Sequence, residues 1–322
     1  MKLSLRLVVA ALCGMMLHPV VSIAQQYPSK TVRLLLGYPA GGSLDIVARI
    51  VGQQLSEQTG QSFIVDNRPG AGGNLASEAM AKVEPDGYTL MFGATGTVIN
   101  TTLYLKVAYK LEDFIPISLL GEAPLLLMAN VSLPANTLPE LIKLAKSKPG
   151  AIRFASAGNG STSHLATEVF RLMANLEMLH VPYKGGGQAF QDVIGGQVEI
   201  TTLPISESIE NVRAKRVKAI GQTGARRSFI APDIPTLDEQ GLKGYAVSTW
   251  YVVFGRAKMQ QDHVTRLYDE LARALKNPAT QEKLKKAGVD IIGTTPQQAA
   301  AFVKTEYEKW ETVITKSGLK IE

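Results

Sequence analysis

The chain has 322 residues, of which 45% are hydrophobic and 19% are charged, and its formal net charge is +6 at pH 7. This balance is typical of a globular protein and excludes a disordered or low-complexity chain. Lysine and arginine are scattered, and we interpret the densest cluster, at 283–286, as a solvated helix face. The sequence therefore predicts no nucleic-acid partner, and its mild positive charge favours encounter with anionic solutes.

Residues 1–24 have the pattern of an export signal. Two basic residues precede an apolar run at 7–17, and small residues stand at the two positions before Gln25 that a signal peptidase inspects, Ser22 and Ala24. We predict cleavage after Ala24 and a periplasmic location. The only cysteine, Cys13, lies inside this segment. Its lipidation is the alternative, and Leu12 disfavours it. The predicted mature chain contains no cysteine, which excludes disulfides and Cys-ligated zinc.

The mature chain, of about 300 residues, has the length of two domains. Apolar runs at 31–38, 62–66 and 88–92 predict buried strands, and amphipathic segments at 44–58 and 74–82 predict helices between them. This alternation is typical of a parallel sheet that helices cover on both faces. The predicted buried face of the first helix consists of Ile46, Val47, Ile50, Val51 and Leu55.

The pattern breaks at 114–130, which is nearly all apolar and contains Pro116 and Pro124. Proline excludes a continuous helix there, so we predict an extended segment that crosses between domains. A second extended stretch, at 245–254, carries the chain back. Between them the predicted helices are 138–147, 164–174, 188–194 and 206–214, and the predicted strands are 152–155, 178–183, 198–202 and 217–221. After the return come helices at 261–276, 279–287 and 296–316 and a strand at 289–292.

Two crossings predict a discontinuous first domain, 25–124 plus 251–322, and a second domain, 125–250. Ligands of open parallel sheets bind at the carboxyl ends of the strands, so the loops that follow strands are the candidate sites. Four such loops are rich in glycine and hydroxyl groups. They are 38–45, 92–97, 154–164 and 181–187.

The third loop carries the strongest signal, because a strand feeds a glycine loop that feeds a helix N-terminus, an arrangement suited to carboxylate or phosphate. The alternative for every loop is an ordinary strand-to-helix turn. In the first loop we interpret Ser43 as the helix cap and Asp45 as a partner of the helix dipole. His164 either contacts ligand or packs and caps, and Lys184 supplies a charge or is a solvated loop residue.

Catalytic and cofactor motifs are absent from the sequence. The run Gly70-Ala71-Gly72-Gly73 lacks the third glycine of a dinucleotide fingerprint, and neither a nucleophile elbow nor a P-loop occurs. The mature histidines have no metal-ligand partner at helical spacing. We therefore predict a binding protein without cofactor or metal. An exported α/β hydrolase or transferase is the alternative, because a catalytic triad need not be close in sequence.

The chain resembles the Bug family, the periplasmic receptors of tripartite tricarboxylate transporters, over essentially its whole mature length. The segments that carry the resemblance are Tyr27-Pro28-Ser29-Lys30, Pro39-Ala40-Gly41-Gly42-Ser43-Leu44-Asp45, Val65-Asp66-Asn67-Arg68-Pro69-Gly70-Ala71-Gly72-Gly73-Asn74, Pro85-Asp86-Gly87-Tyr88, Phe154-Ala155-Ser156-Ala157-Gly158-Asn159-Gly160-Ser161, Val181-Pro182-Tyr183-Lys184-Gly185 and Pro232-Asp233-Ile234-Pro235-Thr236.

This resemblance implies a two-domain α/β Venus-flytrap fold of type II, in which a parallel-type sheet flanked by helices forms each domain and two strands cross. It implies a non-enzymatic, monomeric receptor that binds a small carboxylate with backbone N–H groups, hydroxyls and waters. Its partner is an inner-membrane permease or, for an orphan receptor, a sensor. The implied ligand-binding residues are Tyr38, Ala40, Gly41, Gly42, Ser43, Ala94, Thr95, Gly96, Thr97, Ser156, Ala157, Gly158, Ser161, Thr162, His164, Tyr183 and Thr202.

Two segments depart from the family pattern. Members often have an acidic residue, then Met-Phe and a polar pair, where this chain has Glu199-Ile200-Thr201-Thr202-Leu203-Pro204. Thr202 replaces the bulky aromatic, which alters one wall of the expected cleft. The first loop starts with Gly37-Tyr38 instead of the usual Pro-Phe, so its floor is also expected to differ.

Overall fold

The computed structural model describes residues 27–183, 185–318 and 320. The predicted signal peptide and Lys184 lie outside these residues. Within the described part, no helix has the length and apolar composition needed to cross a bilayer. The helices there are α1 (Ser43–Thr59), α2 (Asn74–Met80), α3 (Thr95–Leu103), α4 (Leu138–Ser147), α5 (Thr162–Met173), α6 (Gly186–Ile194), α7 (Ile205–Arg213), α8 (Gln261–Lys276), α9 (Pro278–Lys286) and α10 (Pro296–Ser317).

The strands of the same residues form one continuous mixed sheet in the order β2-β1-β3-β9-β4-β7-β5-β6, with β8 and β10 also paired to β4. Parallel pairs join β1 to β2 and β3, and β5 to β6 and β7. The strands are β1 (Val32–Leu36), β2 (Phe63–Asn67), β3 (Thr89–Gly93), β4 (Phe114–Asn130), β5 (Arg153–Ser156), β6 (Leu179–Pro182), β7 (Ile200–Pro204), β8 (Val217–Gln222), β9 (Ser248–Arg256) and β10 (Asp290–Ile291).

Strand β4 connects the two halves of this sheet. Its first part, as far as Pro124, pairs antiparallel with β9, and its second part, from Leu125, pairs antiparallel with β7 and β8. Both predicted extended segments are therefore strands, β4 with the predicted bounds and β9 beginning three residues later. The expectation of parallel-type sheets is too simple, because β4 and β9 run antiparallel to their neighbours.

The first helix shows how the sequence pattern sets the packing. Val47, Val51 and Leu55 recur at a spacing of four and are buried, while Gly60 ends the helix in the left-handed conformation that suits glycine. Ile46, predicted on the buried face, is instead 42% exposed, and Asp45 beside it is 3% exposed. The carboxyl group of Asp45 is therefore buried, and Ile46, which the apolar pattern placed on the buried face, is exposed.

Helix α3 has no counterpart among the predicted elements. Threonine, glycine and β-branched residues dominate it and have low intrinsic helix propensity. Burial compensates for that propensity, because every residue from Met91 to Asn100 is buried. Ile99 and Leu103 pack in the same apolar cluster as Phe154 of β5.

The C-terminal helix α10 is fixed to β9 by one carboxylate. The indole N–H groups of Trp250 and Trp310 both donate to Glu306 Oε2, at 2.9 and 3.0 Å, and Lys309 pairs with the same side chain. Trp310 and Ile314 belong to the apolar cluster of Phe154, whereas Trp250 belongs to a second cluster. The end of α10 therefore packs with residues of the predicted second domain, and the exact domain limits stay a prediction.

Replacing Glu306 by alanine should lower stability strongly. E306A leaves two buried indole N–H groups unpaired, which costs about 2–4 kcal/mol and lowers the melting temperature by several degrees. E306Q keeps one oxygen acceptor and should lose less. E308A, on the exposed side of the same helix, is the control and should change little. Equal effects of E306A and E308A in thermal and urea unfolding would contradict the role given to Glu306.

Candidate functional site

The first loop joins β1 to α1. Ser43 is the first helical residue rather than the cap, so the predicted capping role of Ser43 is wrong. Gly42 takes the cap position with extended backbone angles, φ −75° and ψ 167°, and gives no side-chain cap. Because the first N–H groups of a helix have no intrahelical acceptor, the N-terminus of α1 can receive an acceptor from outside. Ala40, Gly41 and Gly42 are exposed there.

Asp45 organises this loop. Its carboxylate accepts hydrogen bonds from the Gly41 N–H at 2.9 Å, from Arg49 Nε at 2.9 Å and from Asn67 Nδ2 at 3.0 Å. Burial alone would raise the pKa of Asp45, but these hydrogen bonds and the charge of Arg49 outweigh it and hold the pKa below its usual value. The Gly41 N–H is thus already occupied, and the loop is held by a charged carboxylate.

The second loop is covered in this structure. Thr95 and Thr97 are 1% and 7% exposed, and the Tyr38 hydroxyl donates to the Gly72 carbonyl at 3.3 Å above them. A Cβ at Gly96 would collide with Tyr38 Oη and lie 2.9 Å from the Gly72 carbonyl oxygen, so this position needs glycine. Ligand contact by Ala94, Thr95, Gly96 and Thr97 stays a prediction.

The third loop is stiffened by its own hydrogen bonds. Ser161 caps α5 by accepting from the His164 N–H at 3.2 Å, and its hydroxyl donates to the Gly158 carbonyl at 2.6 Å. The N–H of Ala157 donates to Ser163 Oγ at 2.9 Å. The backbone is therefore preorganised. Across residues 27–183 and 185–318, the N–H of Thr162, the first residue of α5, has no hydrogen-bond acceptor.

Two histidines form hydrogen bonds with residues of this loop and stack on each other. His164 and His180 stack with ring centroids 3.9 Å apart, and Phe154 stacks on His180 at 4.7 Å. His164 Nδ1 accepts from the Gly160 N–H at 3.1 Å, and His180 Nε2 shares a 2.7 Å hydrogen bond with Ser156 Oγ. Burial lowers both pKa values to about 4, with a smaller effect of the Arg171 charge on His164 and of His164 on His180. Both rings are thus neutral at pH 7.

The fourth loop packs against the third. The Tyr183 carbonyl oxygen lies 3.0 Å from where a Cβ at Gly158 would be, and Gly158 has φ +122°, so this position needs glycine. The Tyr183 hydroxyl donates to Asp192 Oδ2 at 2.6 Å, and burial, together with that bond, raises its pKa to about 12. Thr202 of β7 is 1% exposed and shares a 2.9 Å hydrogen bond with Thr167. The ligand contacts predicted for Tyr183 and Thr202 stay predictions.

Two residues outside the predicted set lie near these loops. Burial raises the pKa of the Tyr251 hydroxyl of β9 to about 12; Ser43 lowers this pKa, and the Glu207 carboxyl group of α7 raises it further. A Cβ at Gly186, the first residue of α6, would lie 3.9 Å from Glu207 Oε2 and 3.9 Å from the Ala157 Cβ. Ser43 and Glu207 therefore both act on Tyr251, and Glu207 lies beside the start of α6.

The sequence held a weak signal for both residues. Tyr251 is a polar tip within the apolar crossing segment, and Glu207 is an acidic residue in the first turn of a helix, which the helix dipole alone explains. Neither pattern by itself indicates a binding role.

Over the described residues, no group of three or more histidine and acidic side chains could hold a metal ion. One cavity of about 680 Å³ is lined by residues of α8, α9 and β10, including Tyr268, Lys276 and Asp290, and contains none of the predicted site residues. The helix N-termini therefore form the candidate site, because their N–H groups provide the directed donors that an anion needs.

Comparison with known proteins identifies the family and the fold of this chain. Residues 47–319 match the family model described as tripartite tricarboxylate transporter family receptor. The structure of Rhodopseudomonas palustris Rpa4515 with adipate is 32% identical, covers 91% of this chain and 99% of its own, and superposes with a TM-score of 0.80. That of MatC from the same species with bound malate is 31% identical, with 89% and 100% coverage and a TM-score of 0.77. The periplasmic binding protein BugD is 29% identical, with 92% and 100% coverage and a TM-score of 0.78.

The stacked histidines predict a pH dependence of stability. Their pKa is 6.5 when unfolded and about 4 when folded, so the unfolded state binds protons first as the pH falls below 6.5. Their contribution to the free energy of unfolding is therefore complete above pH 6.5 and is lost progressively toward pH 4. Urea unfolding between pH 6.5 and 5 should show this loss, and H180Q should reduce its slope by about half. A slope that H180Q leaves unchanged would contradict the assignment.

Proposed function

Because the chain belongs to the receptor family of tripartite tricarboxylate transporters, the Bug family, we propose that it captures a small carboxylate at the helix N-termini described above. It is a solute-binding receptor with the two-domain type II fold, and the family gives no support to a hydrolase or transferase. The observation that carries the carboxylate assignment is the open N-terminus of α5 beside a loop that is already held in shape.

The proposed donors are backbone N–H groups rather than charged side chains. A carboxylate at the N-termini of α1 and α5 receives backbone N–H groups and the positive ends of two helix dipoles. These donors are fixed before the ligand arrives, so little conformational entropy is lost on binding. Adipate and malate, found with Rpa4515 and MatC, are the first ligands to examine for this chain.

Domain closure completes the site in our proposal. The first loop belongs to the half of the sheet with β1, and the third and fourth loops belong to the half with β5 and β6. Rotation about β4 and β9 brings the two sets of helix ends together around the solute. We further propose that the mature protein is a monomer of the periplasm, with cleavage after Ala24, and that its closed form docks on a membrane permease.

Proline substitution tests the backbone donors individually. Ser43 and Thr162 are the first residues of their helices, a position that tolerates proline, and the residue before each is extended. S43P and T162P remove one N–H group each and should weaken carboxylate binding about tenfold or more, as expected for a hydrogen bond to a charged group. The melting temperature should change little.

The alanine variants S43A and T162A are the matched controls, because they remove the hydroxyl groups and keep the N–H groups. Isothermal titration with the best-binding acid compares the four variants. If T162P binds as tightly as T162A, the N-terminus of α5 does not hold the carboxylate.

Native mass spectrometry of gently purified protein, followed by denaturation, identifies any solute that the protein retains. A thermal-shift panel that includes adipate and malate is measured in parallel. We expect a carboxylic acid that is recovered unchanged after long incubation. A converted product, or the absence of stabilisation by every acid in the panel, would contradict the proposed function.

A further inference from the structure

A groove outside the candidate site contains three cations without partners. Arg226, Lys276 and Lys285 line the cavity of about 680 Å³, and among the described residues none of these side chains forms an ion pair or a hydrogen bond. A second cavity, of about 390 Å³, adjoins the first, because Phe229 and Lys285 line both. We call the two cavities together the basic groove.

The lysine cluster at 283–286 contributes one of these cations. Lys286 pairs with Glu282 at 2.8 Å, and the ammonium group of Lys283 donates to Gln53 Oε1 at 3.4 Å. Lys285 has no such partner and lines both cavities of the basic groove. The cluster is exposed, as the sequence predicts, but its three lysines differ in what they can bind.

Apolar side chains are exposed in the same groove. Phe229 is 47% exposed and Ile292 is 38% exposed. Exposed apolar side chains next to cations are typical of surfaces that bind another protein, where aromatic and arginine side chains supply much of the binding energy. Among the described residues that line the larger cavity, Asp290 is the only acid. Burial raises the pKa of Asp290, Arg226 and the Phe229 N–H lower it, and Glu122 raises it.

The basic groove lies where the two halves of the sheet meet. Arg226 and Phe229 follow β8, which pairs with the second part of β4, whereas β10 pairs with the first part. A Cβ at Gly288, two residues before β10, would lie 2.7 Å from Ser206 Cβ of α7 and 3.3 Å from Ile230 Cδ1. Both halves therefore supply walls of the groove.

We propose that the basic groove is a docking surface for an acidic segment of a partner protein that carries an aromatic side chain among its carboxylates. The carboxylates pair with Arg226, Lys276 and Lys285, and the aromatic side chain packs on Phe229. Charge complementarity selects this partner, because three unpaired cations and one acid line the larger cavity. A flat lipid surface would leave the concave groove unfilled, whereas a peptide segment enters it.

Solute capture and docking are coupled in this proposal, a step that rests on the domain closure of the proposed function. Helices α8 and α9 pack against α1, so Lys276 and Lys285 move with the half of the sheet that contains β1. Arg226 and Phe229 move with the other half. A segment that contacts both walls binds one arrangement of the halves better than the other, and closure therefore changes its affinity.

Blocked synthetic peptides test the docking surface. Octapeptides of glutamate and glycine carry one phenylalanine, placed at every position in turn, and a matched set has glutamine instead of glutamate. Fluorescence anisotropy measures binding to the protein. We expect at least one glutamate peptide to bind at least tenfold more tightly than its glutamine counterpart, with an affinity that falls as the salt concentration rises. Equal binding of both sets, binding by neither, or binding only to phosphatidylglycerol vesicles would overturn the proposal.

Substitutions assign peptide binding to the basic groove. R226Q and K285Q should each weaken binding of the best glutamate peptide about threefold to fivefold, as for exposed ion pairs, and F229A about tenfold. K283Q removes a charge from the same helix outside the groove, and L105A removes an apolar side chain that is 62% exposed elsewhere. Both controls should keep the peptide affinity. Equal losses in K283Q and K285Q would overturn the assignment.

A second titration of the best peptide, with the best-binding acid at saturation, tests the coupling. We expect the peptide affinity to change at least threefold, and linkage requires the peptide to change the affinity for the acid by the same factor. A peptide affinity that the acid leaves unchanged would overturn the coupling. Peptide binding without binding of any acid would contradict the proposed function and the coupling, but it would support the docking surface.

Discussion

The antiparallel pairing of β4 with β9 is the constraint on which the rest of the structure depends. The pairing runs from Phe114 opposite Arg256 to Pro124 opposite Ser248, after which β4 continues into the other half of the sheet and pairs with β7 and β8. Backbone hydrogen bonds fix this register, and buried side chains on β9 reinforce it, with Trp250 tied to α10 through Glu306. The loops on either side can therefore approach each other only through bending or twisting at this pair of strands.

Anion binding at the two sides is prepared differently. At α1, the protein supplies its own carboxylate, Asp45, which occupies the Gly41 N–H and leaves the N–H groups of the helix start for a ligand. At α5, the cap is a neutral hydroxyl, Ser161, and the loop is held by serine and histidine side chains. The second arrangement adds no negative charge near the incoming solute, so α5 should contribute more to affinity, whereas the charge of Asp45 partly offsets the dipole of α1.

Much of the architecture could be predicted from the sequence, and the failures have physical causes. The bounds of β4, α4 and α8 match the predicted ranges, because proline and strong amphipathic periodicity determine them locally. Helix α3 was not predictable, since burial overrides its poor propensity. The four loops follow from strand-to-helix patterns, but neither Tyr251 nor Glu207 has a sequence pattern that by itself indicates a binding role. The expected cap at Ser43 failed because glycine, which also caps, stands one position earlier.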